Sequence, residues 1–182
     1  MTQDQLKQQM AIHDFQSARQ RASIQEVLAR VTGKSNQLLS YEGVAKKLNL
    51  RDRTERGIQH IPLDAIVGSV GRNTEFTRTF LPRRDEDQNR WVNVKTAFLE
   101  KSAGLPPIEV YKVGEVYFVV DGNHRVSIAR QEGLTFIEAH VIEFQTEIKL
   151  TPDVQPDDLI IKAEYVEFLN KTRLHETRPN VD

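Results

Sequence analysis

The chain has 182 residues, enough for one domain with a hydrophobic core and some appended helix. A formal net charge of -1 and a pI near 6.5 give no support to bulk nucleic-acid binding, although they leave room for a local basic patch. Cysteine is absent, which excludes disulfides, thiolate catalysis and cysteine-based zinc sites, and no apolar run is long enough to span a membrane, so we expect a cytoplasmic protein.

The composition near the N-terminus predicts a helix. Residues 4–31 are rich in Gln, Ala, Arg and Leu without Pro or Gly, which gives high helix propensity throughout. Two interpretations stay open: a solvated amphipathic helix that packs on the domain or on a second copy, or an arm that forms a homodimer or binds another partner. Gly33 breaks this helix, and a shorter one is expected over residues 40–48.

An alternating segment and an arginine-bearing loop follow. Residues 58–67 alternate as a strand, and Pro62 marks an edge or a turn into a short helix at 63–66. A glycine-bearing loop over 68–74 comes next. Four arginines then fall within thirteen residues and make a local positive surface: Arg72, Arg78, Arg83 and Arg84. The loop is either salt-bridged to the acidic residues 85–87 or available to an anion.

The second half predicts a hairpin between helices. The elements expected in order are a helix over 85–100, paired antiparallel strands at 108–113 and 116–120, a helix over 123–132, a strand over 136–144 and a helix over 159–169. The strand at 136–144 is expected to return to the same sheet.

The strand at 116–120 leads directly into a helix through Asp121-Gly122-Asn123-His124-Arg125. A helix that begins there presents free backbone N–H groups and the positive end of its dipole, which together favour an anion. The alternative is a plain turn in which Asn123 caps the helix.

Each residue type in this turn suits phosphate. Gly122 allows close approach, and His124 is either a donor or an acid or base near neutral pH. Asp121 is expected to hold Arg125 or His124, cap the helix or bind Mg²⁺. Walker-type, serine-hydrolase and zinc-protease motifs are absent, and the scattered histidines at 13, 60, 124, 140 and 175 predict no metal site.

With these elements in place, the sequence resembles the ParB/sulfiredoxin-like superfamily from Ile58 to Phe144. The resemblance is carried by the hairpin, the stretch from Val119 to Ala129, the stop at Gly133 and the closing strand. Upstream, Ile61-Pro62-Leu63-Asp64-Ala65-Ile66 and Leu105-Pro106-Pro107-Ile108-Glu109-Val110 match the order in which ParB N-terminal domains present their strands.

The resemblance implies an α+β fold, a small mixed sheet with packed helices that is flanked by N- and C-terminal helices. Residues 1–57 would form a helical extension, 58–145 the ParB/sulfiredoxin-like domain, and 146–182 a connector and helix. It also implies a phosphate-binding cleft for a nucleotide, CTP as in ParB proteins or ATP as in sulfiredoxins, with Mg²⁺. The implied site comprises Arg72, Thr74, Arg78, Asp121, Gly122, Asn123, His124 and Arg125.

The function implied is a nucleotide- or phosphate-binding domain that acts as a CTP- or ATP-dependent switch or a DNA-associated regulator. Sulfiredoxin activity itself is excluded, because Asn123 stands where its nucleophilic cysteine would be. The alternative is a small-molecule kinase or a phosphodiesterase/nuclease of the same fold, with Glu75 and His124 as catalytic residues. The partners expected are a nucleotide, DNA at the arginine-bearing loop and a second copy through the N-terminal helix, without a membrane.

Overall fold

The computed structural model describes residues 2–48, 50, 52–100, 105–146, 148–155 and five isolated positions beyond them, namely 158, 161, 164, 165 and 168. Within this part the chain forms four α-helices and a six-stranded sheet. The helices are α1 (Gln3–Thr32), α2 (Tyr41–Leu48), α3 (Gln88–Glu100) and α4 (Asn123–Gln131). The strands are β1 (Leu39–Ser40), β2 (Arg53–Pro62), β3 (Ile66–Ser69), β4 (Ile108–Val113), β5 (Val116–Asp121) and β6 (Phe136–Phe144).

The sheet is mixed. Its strand order is β1-β3-β5-β4-β6-β2, with β3 parallel to β5, β4 antiparallel to β5 and parallel to β6, and β2 antiparallel to β6. The hairpin predicted between β4 and β5 is confirmed, and so is the return of the closing strand to the same sheet. The predicted α+β class, a small mixed sheet with packed helices, follows from this topology.

Helices cover both faces of the sheet. One face packs against α4, whose Val126 and Ala129 join the main core with inward-facing residues of β4, β5 and β6. The other face packs against α2 and the segment from Leu150 to Val154. Apolar burial on both sides explains why β5, from Val116 to Val119, is buried at every position instead of alternating.

Helix α1 lies against α3. Phe15 packs on Trp91 with ring centroids 5.7 Å apart, and Ala11 joins the same cluster. Between the helices, the buried ammonium of Lys95 in α3 pairs with Asp14 of α1 at 3.1 Å and with Glu132 beyond α4. The packing of α1 on the domain is therefore observed.

The second predicted use of α1, as a homodimer arm, stays a prediction. Four apolar side chains at helical spacing remain exposed near its C-terminal end: Ile24, Val27, Leu28 and Val31. No helix in the described ranges has the length and apolar character that crossing a membrane requires.

Two local predictions differ from the structure. The strand expected from residue 58 begins at Arg53, because β2 is an edge strand whose charged side chains face solvent while its backbone pairs with β6. Gly68, expected in a loop, lies in β3 opposite Leu39 and Phe118, where a side chain would collide with both. The helix predicted over 159–169 falls mostly outside the described residues.

Candidate anion site at the start of helix α4

The predicted strand-to-helix junction is present. Strand β5 ends at Asp121, Gly122 turns the chain with φ of 108°, and α4 begins at Asn123. The first intrahelical hydrogen bond runs from the Val126 N–H to the Gly122 carbonyl, 3.0 Å. The N–H groups of residues 123–125 precede this bond and have no acceptor inside the helix. Among the described residues no side chain caps this end. Asn123, considered above as a cap, is the first helical residue instead.

Gly122 is required at this junction. Its positive φ is costly for any residue with a side chain, and a Cβ here would lie 2.5 Å from Ile108 Cγ2. The glycine therefore lets α4 start directly against β4.

A small cleft opens above this helix end. Its walls are the turn residues 121–125 with Val120, Arg72 from the loop after β3, and Arg90 and Val94 from α3. The cleft volume is about 140 Å³, below the roughly 300–1,000 Å³ typical of pockets for drug-sized ligands. A phosphate group matches this size, whereas the nucleoside of a nucleotide would lie outside.

Two buried polar side chains form the floor. Asn123 is 4% exposed and His124 is 5% exposed, and both line the cleft. Within the described chain, Asn123 Oδ1 and both ring nitrogens of His124 have no hydrogen-bond partner. Buried polar atoms in native proteins are nearly always paired, so these three atoms are suited to hydrogen-bond a molecule that enters the cleft.

Burial and the nearby arginines keep His124 neutral. Its pKa is lowered to about 4, first by burial and then by the positive charges of Arg90 and Arg72, while Asp121 opposes them. Phe76 lies edge-on to the imidazole with ring centroids 5.3 Å apart. At neutral pH the side chain therefore offers one N–H donor and one acceptor.

Arg125 is held by its own neighbours. Its guanidinium donates to the carbonyl oxygens of Pro106 and Pro107 and to the Asp121 carboxylate. Asp121 thus holds Arg125, as one of the sequence interpretations expected. Because Arg125 ties the start of α4 to the chain that leads into β4, its first role is to position the turn.

Arg72 reaches the cleft from the opposite side. Its guanidinium lies 3.5 Å from Glu75 Oε2, an atom that is buried without a hydrogen-bond partner in the described chain. Glu75 is not part of the cleft wall and meets it through Arg72. Burial and the negative charge of Glu75 in turn raise the pKa of Asp87.

Two predicted site residues lie elsewhere. Thr74 is exposed and outside the cleft wall. The guanidinium of Arg78 donates to the Val154 carbonyl at 2.6 Å, and burial lowers its pKa. Arg78 therefore anchors the segment after β6. The structure brings together Arg72 and residues 121–125 of the predicted set, and leaves Thr74 and Arg78 apart from them.

Sequence reasoning missed Arg90, Val94 and Val120. Arg90 and Val94 are four residues apart on α3, beside the buried Trp91 and Lys95. That spacing places both residues on one face of α3, but it does not show which part of the chain this face contacts. The packing of α3 on α4 brings the face to the turn at the start of α4.

A comparison with solved structures finds a similar chain. It is the crystal structure of sulfiredoxin from Arabidopsis thaliana, with a TM-score of 0.34 and 26% sequence identity over 46% of this chain and 82% of that one. No family model matches the chain, and neither does any curated protein. At this TM-score the match carries no argument about the fold or the function of this chain.

Proposed function

We propose that the chain binds the phosphate moiety of a nucleotide, CTP or ATP, at the start of α4. The observation that supports this most is the floor of the cleft, where Asn123 and His124 are at least nine-tenths buried and keep polar atoms unpartnered within the described chain. Such atoms are costly unless a ligand or water pairs with them.

The charge of the cleft suits an anion. Arg90 forms no ion pair among the described residues, and Arg72 is 38% exposed while it contacts Glu75. Guanidinium groups and helix-terminal N–H groups give phosphate oxygens bidentate hydrogen bonds in a fixed positive field. Among the described residues Asp121 supplies the carboxylate of the wall, so it would face Mg²⁺ if the nucleotide brings the ion along.

Calorimetric titration with ATP, CTP and pyrophosphate, each with and without Mg²⁺, tests the proposal. Native protein should bind at least one of them, and Arg90→Ala should weaken binding about ten- to a hundredfold, the value of a charge-assisted contact. Arg84→Ala is the matched control, because Arg84 is an exposed arginine outside the cleft. Equal affinity of both variants and the native chain would contradict the proposal.

The kinase or phosphodiesterase/nuclease alternative has weaker support. It needs a base at the ligand, and Glu75 faces Arg72 instead of the cleft. Turnover of the nucleotide in the same titrations would favour it. A switch, too, stays a prediction, since it requires two states of the chain.

Binding of DNA at the arginine-bearing loop also lacks a specific observation. Three of its four arginines have partners inside the chain: Arg72 with Glu75, Arg78 with backbone carbonyls and Arg83 with Glu26. Few of the charges would be free to neutralise phosphates along a duplex.

A further inference from the structure

The imidazole of His124 is a buried titratable group whose state must depend on what fills the cleft. It lies at the second position of α4, and both of its ring nitrogens are unpartnered within the described chain. A neutral ring offers a single N–H, whereas an imidazolium offers two. A phosphate or sulfate oxygen can accept from either nitrogen that faces it.

Charged groups from four parts of the fold surround this ring. Arg90 comes from α3, Arg72 from the loop after β3 and Asp121 from the end of β5. On its own helix Arg125 is already paired with Asp121, and beyond Arg72 lies the carboxylate of Glu75. In the unliganded cleft the two arginines and burial oppose a third positive charge, and Asp121 alone favours it.

A doubly charged anion reverses this balance. It offsets the charges of Arg90 and Arg72, and it supplies acceptors to N–H groups that lack them. The protonated ring would then be stabilised by the ligand that it contacts. Phe76, edge-on to the ring, keeps the imidazole in place without competing for a proton.

We infer that the cleft takes up a proton on His124 when it binds a dianion, so that ligand affinity is coupled to pH. This deepens the proposed function and rests on it. The class of ligand that exploits the coupling is a terminal phosphomonoester or another dianion of the same size, in preference to the singly charged phosphodiester.

The sign of the coupling follows from linkage. The pKa of free His124 is lowered to about 4, and the bound anion raises it. Affinity for an anion of constant charge therefore rises as the pH falls through the bound-state pKa, by up to about tenfold per pH unit. The rise ends near the free-state value, below which both states are protonated.

Nuclear magnetic resonance of the full chain tests this directly. Sulfate is the probe, because its charge is constant where a phosphomonoester titrates, with a second pKa of about 6. The imidazole of His124 is titrated with and without saturating sulfate, and the backbone amides of residues 123–125 report occupancy. We expect sulfate to raise the pKa of His124 by at least about one unit, a tenfold coupling.

His124→Gln keeps a hydrogen-bonding side chain without a titrating ring, and should bind sulfate with an affinity that no longer changes with pH. His140→Gln, an exposed position on β6, is the matched control and should keep the native pH dependence. The native titration needs neither variant to fold.

Two outcomes would overturn the inference. If sulfate shifts the amides of residues 123–125 while the His124 titration is unchanged, the cleft binds anions without proton uptake, and the proposed function survives alone. If neither sulfate, inorganic phosphate nor pyrophosphate shifts those amides, the inference and the proposed function fall together.

Discussion

The indole Nε1 of Trp91 donates a 3.1 Å hydrogen bond to Oγ of Ser127, with both side chains buried. This bond joins α3 to α4 one residue after Arg90 and three residues after His124. The contact therefore ties the part of α3 that carries Arg90 to the part of α4 that carries His124.

Ser127→Ala tests this connection. The change leaves a buried indole N–H without its acceptor, which should lower the free energy of unfolding by about 1–3 kcal/mol. Urea unfolding followed by the fluorescence of the single tryptophan measures the loss. Ser23→Ala is the control, because Ser23 is exposed on α1 and its hydroxyl donates within that helix. Equal effects of the two changes would remove the special role given to Ser127.

Gly122→Ala should damage the turn much more than another glycine change at positive φ. A Cβ at Gly122 meets Ile108, whereas one at Gly133, φ 72°, has nothing within 4 Å. Backbone strain alone costs about 1–3 kcal/mol and is shared by both variants, so the collision adds to Gly122→Ala only. Thermal unfolding of the pair isolates that difference, and a larger loss for Gly133→Ala would contradict the packing described.

Arg125→Ala and Arg90→Ala should separate positioning from binding. Arg125 holds two carbonyl oxygens and Asp121, so its loss should destabilise the fold by about 1.5–3 kcal/mol as well as reduce anion affinity. Arg90 is exposed and has no ion pair among the described residues. Its loss should therefore reduce anion affinity, while the free energy of unfolding stays within about 0.5 kcal/mol of the native value. Denaturant titrations alongside ligand titrations distinguish the two, and the reverse pattern would exchange their roles.

Acid should loosen the edge of the sheet through Glu143. Hydrogen bonds from Lys112 Nζ, 2.9 Å, and Arg56 Nε, 2.6 Å, lower the pKa of this carboxyl and connect β6 to β4 and β2. Because the pKa of Glu143 is lower in the folded protein than its unfolded value of about 4.5, its ionised carboxylate stabilises the fold at any pH above 4.5. This stabilisation is lost as the pH falls through the folded-state pKa. Glu143→Gln should therefore flatten the loss of stability below about pH 4.5.

Unfolding midpoints of native protein and Glu143→Gln between about pH 3 and pH 7 provide the measurement. Glu138→Gln on the same strand is the comparison, since its carboxylate makes an exposed 3.5 Å contact with His60. If Glu143→Gln follows the native curve at every pH, the two cations contribute nothing to the pH dependence.

The elements were predictable where a local pattern and a punctuating residue agree. The long α1 ends at Gly33 in the left-handed conformation, and β4 and β5 are separated by the turn at Gly114. The junction from β5 to α4 was predicted because Asp-Gly interrupts a β-branched run just before helical spacing begins. In each case the signal lies within a few residues of its effect.

The rest depended on distant contacts. Arg72 lies at the predicted site, but Arg78, six residues later, donates to the backbone carbonyls of residues 152 and 154. Phe76 and Phe80 enter the core on either side of Arg78 and so direct it away from the site. Phe80 does so at φ of 61°, a conformation that no sequence pattern gives for phenylalanine. Arg90 was missed because only the packing of α3 on α4 brings it there.

Lys95 limits how the chain can be divided. Its ammonium forms ion pairs with Asp14 in α1 and with Glu132 beyond α4. Beside it, Phe15 of α1 packs on Trp91. A truncated protein that starts at residue 58 would keep the whole cleft, yet it would expose the indole to water and lose β1 and half of β2. Such a fragment should express as an aggregating or partly unfolded species, so ligand studies call for the intact polypeptide.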